Sequence, residues 1–257
     1  MAFFGILDSM KVVIVTSRVT YVPENYRSLL KTIIANDPQR HVAGLIILDN
    51  LDASVYKSGL LLFLAGAKKT AFHLFKNIFN LPQKLREKDF LETGRFVKIF
   101  KSMNDIEAIN FIRDEKIDLI INARTRCIYK KEILQTPRLG CINIHHGILP
   151  KYRGTLCDLY ALTQGRSAGF SIHQMTSKID AGSILKIVNV SKGEKNFPLY
   201  LERASRMEGE ALIELIYLTA QQNKLPEGQI NFCERPIYTK NPTLQQIKEF
   251  LKQGFIL

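Results

Sequence analysis

Tryptophan is absent, and acidic side chains are scarce beside basic ones, 24 Asp and Glu against 36 Lys and Arg. Four cysteines, Cys127, Cys141, Cys157 and Cys233, include no C-x-x-C pair, which excludes a zinc ribbon and a thioredoxin-type motif. A reducing, cytoplasmic compartment is the expectation that goes with them. The longest apolar run, Gly59 to Ala67, is about half of what a bilayer span needs. The apolar start, Met1 to Asp8, lacks a basic region and a cleavage site and is not read as a secretory signal. No G-x-G-x-x-G follows the first apolar run, so a nicotinamide site would lack its phosphate turn. Internal repeats and low-complexity tracts are missing too.

What is present is ordinary globular material, 46% hydrophobic and 23% charged over 257 residues. That suits one large domain with a small appendage and is ample for a core. The formal net charge of +12 favours anionic partners: nucleic acid, phosphorylated small molecules or a membrane surface.

Short β-branched runs alternate with helical spacing. Lys11–Val15, Val42–Leu48, Phe96–Phe100, Ile117–Ile121 and Cys141–Ile144 read as buried strands. Asn25–Ala35 and Asp105–Arg113 read as helices between them. Such alternation predicts an α/β fold with a doubly wound, mostly parallel sheet, whose ligands gather beyond the carboxyl ends of the strands. Further on, Leu156–Thr163 reads as a helix, Phe170–Met175 and Ser183–Val190 as strands, Leu199–Gln221 as a long amphipathic helix and Leu244–Lys252 as a short one. The expected organisation is a catalytic domain over 10–222, with a basic helical insertion at 57–95, and a short C-terminal extension over 223–257. The insertion is expected to carry Ala71, Phe72, Phe75, Ile78 and Phe79 on one face, packed on the sheet with a solvated basic back. Between Lys57 and Lys101 there are ten Lys and Arg against three Asp and Glu.

The reactive groups crowd just past the fifth strand, in Asn143-Ile144-His145-His146-Gly147-Ile148-Leu149-Pro150-Lys151-Tyr152-Arg153-Gly154. In an extended strand Asn143 and His145 share a side. An amide there can donate to a developing oxyanion, and an imidazole can move a proton near neutral pH. Downstream, Asp180 stands in a turn with Gly182 before a strand. A metal set of Cys141, His145, His146 and His173 shows no established ligand spacing, so no metal is expected. Cys127 and Cys157 read as structural thiols rather than nucleophiles.

Asn143-x-His145, Leu149-Pro150-x-x-Arg153-Gly154 and Asp180-x-Gly182 at these separations resemble the family of formyltransferases that use 10-formyltetrahydrofolate. The resemblance is firmest from Ile117 to Val190 and extends as a fold match from Lys11. It implies that Asn143, His145 and Asp180 are catalytic: Asn143 as donor to the oxyanion, His145 as proton relay, and Asp180 as the carboxylate that orients His145 and favours the imidazolium. It also implies that 10-formyltetrahydrofolate is read by backbone groups at Arg126, Cys127, Ile128, Tyr129, Lys178 and Ile179. Arg124 and Arg126 each stand as an anion contact or a solvated loop charge, and Arg153 as an internal anchor or an anion contact. Gly147, where relatives often carry serine, bears on the shape of the acceptor site.

The implied reaction moves a formyl group to an amine of a small anionic acceptor such as an amino sugar nucleotide. Four alternatives stay open: glycinamide ribonucleotide formylation, methionyl-tRNA formylation, hydrolysis of 10-formyltetrahydrofolate, and a non-catalytic folate-fold binding module. Residues after Gln221 are too few for the β-barrel of the tRNA enzymes, so nucleic acid is not the expected partner. The hydrolases share the doubled His145-His146 but usually carry an N-terminal regulatory domain, and little precedes Lys11. A peripheral membrane or protein contact through 57–101 is the alternative to the solvated basic back expected of the insertion.

Overall fold

The computed structural model describes residues 10–257, so Met1 to Asp8 lie outside the described residues, as does the side chain of Ile78. The chain begins β1 (Val12–Ser17), α1 (Pro23–Ala35), β2 (Val42–Leu48), α2 (Ala53–Ala65), α3 (Lys68–Lys76), a 3-10 turn (Asn77–Phe79) and α4 (Leu81–Leu91). It continues β3 (Phe96–Phe100), α5 (Ile106–Asp114), β4 (Leu119–Ala123), α6 (Lys131–Gln135), β5 (Cys141–His145) and β6 (Tyr152–Gly154). Then follow α7 (Cys157–Thr163), β7 (Ser167–Gln174), β8 (Ile184–Lys192), α8 (Phe197–Gln222), β9 (Ile237–Thr239) and α9 (Leu244–Lys252).

Seven strands form one sheet in the order β3-β2-β1-β4-β5-β7-β8. The pairs from β3 through to β5 are parallel, and β7 turns antiparallel against both β5 and β8. All six residues of β1 are buried, as a strand covered on both faces requires. One face packs Ile14, Ile121, Ile142 and Ile144 against Leu29 and Ile33 of α1 and Leu212 and Ile216 of α8. The other packs Val13, Val15, Ile120 and Cys141 against Ile109 and Ile112 of α5 and Ile133 of α6. The expected doubly wound, mostly parallel α/β sheet is what the chain builds.

Two expectations need correction. The fourth strand starts at Leu119 rather than Ile117, because Ile117 N–H closes α5 on Ile112 O and pairing with β1 begins only at Leu119. The insertion is three helices rather than one amphipathic face. Gly66, at φ +97, ends α2, and the face expected to be buried is split, with Ala71 buried but Phe72 and Phe79 exposed at 62% and 71%.

The 223–257 stretch folds back on the body. β9 pairs in parallel with β6, and α9, closed by a capping box between Thr243 and Gln246, packs against α2. The site loop thereby gains a second backbone partner.

Candidate active site

Alternation along β5 sets Cys141, Asn143 and His145 on the face of α5 and α6. Cys141 is still under α6, where its thiol meets Ile133 O, while Asn143 and His145 run on to the carboxyl end of the sheet. Sheet register then chooses their neighbours: Asn122 lies beside Asn143 on β4, and His173 lies opposite it on β7.

A relay of hydrogen bonds orients the amide. Thr125 Oγ1 donates to Asn122 Oδ1 at 2.6 Å, and Asn122 Nδ2 donates to Asn143 Oδ1 at 2.7 Å. Asn143 Nδ2 in turn lies 3.1 Å from His173 Nε2. His173 Nδ1 faces the carbonyl of Gln174 at 2.8 Å; a carbonyl only accepts, so the proton sits on Nδ1 and Nε2 is the acceptor. Asn143 therefore points its NH2 group into the site, with one hydrogen outside this relay.

His145 is fixed by the same logic. Its Nε2 is 2.9 Å from Tyr152 O and must carry the hydrogen, which leaves Nδ1 with the lone pair. That Nδ1 stands 3.6 Å from Asp180 Oδ2, and His173 Nε2 stands 3.6 Å from Asp180 Oδ1. Asn143, His145 and Asp180 thus meet, joined by His173, which the sequence pattern offered only as a metal ligand.

Asp180 is held in the left-handed conformation at φ +50. Gly154 N–H donates to its Oδ2 at 3.2 Å, and Arg153 donates to its carbonyl at 2.7 Å while also reaching Asn231. Arg153 is the internal anchor of the two readings, buried at 8% exposure. Gly154 has φ +100, and a Cβ there would lie 2.2 Å from Thr239 O on β9. Only glycine fits that crossing. Thr239 Oγ1 also donates to Thr155 O at 2.7 Å, so the tail backs the loop that holds the aspartate.

Burial pushes the His145 pKa down, and the Asp180 carboxylate opposes that without reversing it. Burial acts to raise the Asp180 pKa, but the neighbouring His173 and His145 rings and Gly154 N–H outweigh it and hold the acid below its usual range. The pair at neutral pH is therefore imidazole and carboxylate. Asp180 does favour the imidazolium, as expected from the sequence, but the burial of the ring outweighs it and sets the resting state.

Gly147 has a packing role beside the site. A Cβ there would lie 2.7 Å from both Cys157 Cβ and His145 Nε2, so this glycine lets α7 close on the catalytic histidine candidate. Cys157 is buried behind it at 3.1 Å from Thr239 Oγ1, and burial lifts its thiol to about 12, which suits a packed thiol rather than a nucleophile.

His146 turns to the opposite face. Its Nδ1 is 2.8 Å from Asp158 Oδ2, and its Nε2 is 2.5 Å from Glu208 Oε1. Arg124 completes the cluster, 3.1 Å from Glu208 Oε2 and 4.9 Å above the Tyr26 ring. Both carboxylates are fully buried, and two cations balance two anions. Burial acts to lower the His146 pKa, but Glu208 and Asp158 hold it up at about 9. Arg124 is thus a structural counter-ion, neither a ligand contact nor a solvated charge. Helical spacing of Glu208 within α8 marks it as buried, but nothing local names its partners.

The loop expected to read the folate lies just past β4. Asn104 clamps it, donating to Ile128 O at 2.9 Å and accepting from Lys130 N–H at 2.7 Å. Arg126 is exposed and 3.4 Å from Asn241 Oδ1. Cys127 lies half-buried beside Ser102, and the Tyr129 side chain is buried in the core, leaving its backbone to the loop. Lys178 and Ile179 lie exposed between β7 and β8. Ile128 and Ile179, 62% and 64% exposed, thus stand on the two loops that flank β5. Apolar side chains over loop backbone suit a flat heterocycle with hydrogen-bonding edges, so the residues present fit a folate.

The arrangement is that of an α/β fold with a candidate active site, its polar groups gathered at the carboxyl end of the parallel strands. The sequence matches the Formyl transferase family over residues 77–216, more than half of the chain, and the chain belongs to that family. It is 36% identical over 138 residues to the methionyl-tRNA formyltransferase of Thermotoga maritima, an alignment covering 52% of this chain and 42% of that protein. It is 37% identical over 97 residues to the bifunctional polymyxin resistance protein ArnA of Wigglesworthia glossinidia brevipalpis, covering 37% of this chain and 15% of that one. The aligned region thus spans less than half the length of these curated relatives. Among solved structures, a sugar N-formyltransferase from Shewanella sp FDAARGOS_354 superposes with a TM-score of 0.56 at 19% identity, over 90% of this chain and 76% of that one.

Proposed function

We propose that this protein transfers a formyl group to the amine of a small anionic acceptor, an amino sugar nucleotide being the class that fits best. The observation that carries this is the convergence of Asn143, His145 and Asp180 at the end of β5, with His145 neutral and its Nδ1 lone pair facing the site. 10-Formyltetrahydrofolate supplies the formyl carbon on a nitrogen that departs as N–H. Asn143 Nδ2 donates its remaining hydrogen to the formyl oxygen as negative charge develops there. His145 Nδ1 accepts the proton that the attacking amine must lose, and Asp180 stabilises the imidazolium so formed. The same proton is then available to the departing nitrogen, so the relay returns to its starting state.

The anionic acceptor is favoured by exposed cations at the same end of the sheet, Arg126 and Lys130 after β4 and Lys178 after β7. Kinship to a sugar N-formyltransferase fold agrees with it. The doubled histidine does not speak for hydrolysis, because His146 is turned away from the site into the Glu208 cluster. The test is release of tetrahydrofolate from 10-formyltetrahydrofolate with a panel of amino sugar nucleotides, glycinamide ribonucleotide and methionyl-tRNA. Release that requires an amino sugar nucleotide is expected; release without any amine would replace transfer by hydrolysis.

A further inference from the structure

The three insertion helices carry an unusual surface. From Lys57 to Arg86 the sequence has no Asp or Glu. In α2 the inner face is Val55 and Gly59, the latter against the Phe75 ring, with Ala65 a turn and a half on. The outer face is apolar as well: Tyr56, Leu60 and Leu64 repeat every fourth residue at 46%, 56% and 64% exposure, with Phe63 beside them at 51%. Phe72 of α3 and Phe79 of the 3-10 turn extend the patch. A helix apolar on opposite faces belongs under a cover on both, and here α3 and α9 cover one while the face of Tyr56, Leu60, Phe63 and Leu64 is left open.

The rim is predominantly cationic, with Lys57, Lys68, Lys69 and Lys84 exposed and Asp52, the N-cap of α2, the acidic exception beside Tyr56. Lys68 Nζ lies 6.0 Å from the Phe63 ring centroid and half-buried Lys76 Nζ 4.8 Å from that of Phe72. An ammonium group over an aromatic face sets positive charge directly beside the apolar patch, as a surface facing both acyl chains and anionic headgroups requires.

We infer that the outer surface of α2, α3 and the following turn docks on an anionic lipid bilayer. Exposed aromatic and leucine side chains would enter the acyl boundary while the lysines meet phosphate headgroups. Charge decides among occupants. A second copy related by a twofold axis would bring lysine rim against lysine rim with no acidic partner in the segment. No described helix is long and apolar enough to cross a membrane, so the contact is peripheral.

The surface is rigidly tied to the catalytic end of the sheet. Thr20 N–H donates to Asn77 Oδ1 at 3.0 Å, and Asn77 Nδ2 donates to Thr20 O at 2.8 Å. Buried Arg86 donates to Ser17 O and Arg18 O, both at 2.9 Å. These anchors lie just past the carboxyl end of β1, the end at which β4 and β5 also deliver the site. Docking therefore brings the carboxyl end of β1 towards the bilayer. The inference is independent of formyl transfer, since it rests on none of the residues assigned to it.

The test is co-sedimentation of the full chain with vesicles of phosphatidylcholine alone and with about one third phosphatidylglycerol, at about 0.1 M salt. Sedimentation is expected with the anionic vesicles only, and to fall as salt rises. Lys68→Glu with Lys69→Glu should weaken it by about tenfold or more. Leu64→Ser with Phe72→Ser should weaken it comparably while leaving the thermal midpoint in place, because both positions are exposed. Failure to bind anionic vesicles, equal binding to both vesicle types, or self-association in the absence of lipid that these substitutions abolish would each overturn the inference.

Discussion

His145 Nδ1 and Asp180 Oδ2 stand 3.6 Å apart across the site, with the histidine hydrogen committed on its other nitrogen to Tyr152 O. The ring is thereby presented to the carboxylate as a base with an open lone pair. Burial keeps it in that state by lowering its pKa below the ordinary histidine range.

The pH profile follows from that sign. A base with a depressed pKa is competent above it and loses competence as pH falls through it. The limb of kcat/KM set by His145 is therefore an acid limb with a midpoint below 6.5. Asp180→Asn removes the charge that raises the His145 pKa, so the acid limb should move to lower pH while the plateau rate drops by about a hundredfold or more. A profile measured in both proteins checks this; a limb that moves upward would contradict it.

Asn143→Ala should lower kcat by about 10²–10³ with KM little changed, because the lost hydrogen bond is made to charge that exists only in the transition state. His173→Ala acts one step back, freeing the Asn143 amide and one side of Asp180. It should cost less in kcat than Asn143→Ala. Steady-state kinetics on the two variants decide the order.

The His146 cluster governs stability. Glu208→Gln leaves Arg124 and His146 without their shared buried carboxylate and should destabilise the fold by about 3 kcal/mol or more in urea unfolding. His146 has its folded pKa raised to about 9, so its contribution is full below 6.5 and is lost as pH rises through about 9. Wild-type stability should therefore decline between those values, and the decline should flatten in Glu208→Gln.

Gly154→Ala should place a methyl group on Thr239 O at a positive φ, costing about 2 kcal/mol or more and loosening the loop that holds Asp180. Thermal unfolding should show the loss, and kcat should fall with it.

Much of the architecture is legible in local pattern. Val42–Leu48 and Phe96–Phe100 announce themselves as apolar runs, and Leu244–Lys252 by its spacing, because each is long enough for its period to show. β6 and β9 are three residues each, too short for any period, and they pair across more than eighty residues of chain. Asn143-x-His145 is visible as two side chains on one side of a strand. His173 is not, because its place opposite Asn143 depends on the antiparallel register of β5 and β7. The state of His145 was illegible for a related reason. The carboxylate beside it can be expected from sequence, but the depth of burial that outweighs it is a property of the packed core.

The central claim is that His145 is the base of a formyl transfer, and side-by-side assay of wild type and His145→Ala tests it most directly. With 10-formyltetrahydrofolate and an amino sugar nucleotide, wild type should yield formylated sugar and tetrahydrofolate one for one. The variant should be slower by about 10²–10⁴ and still bind the folate. A variant that turns over at the wild-type rate, or a wild type that forms no formylated amine, would contradict the account.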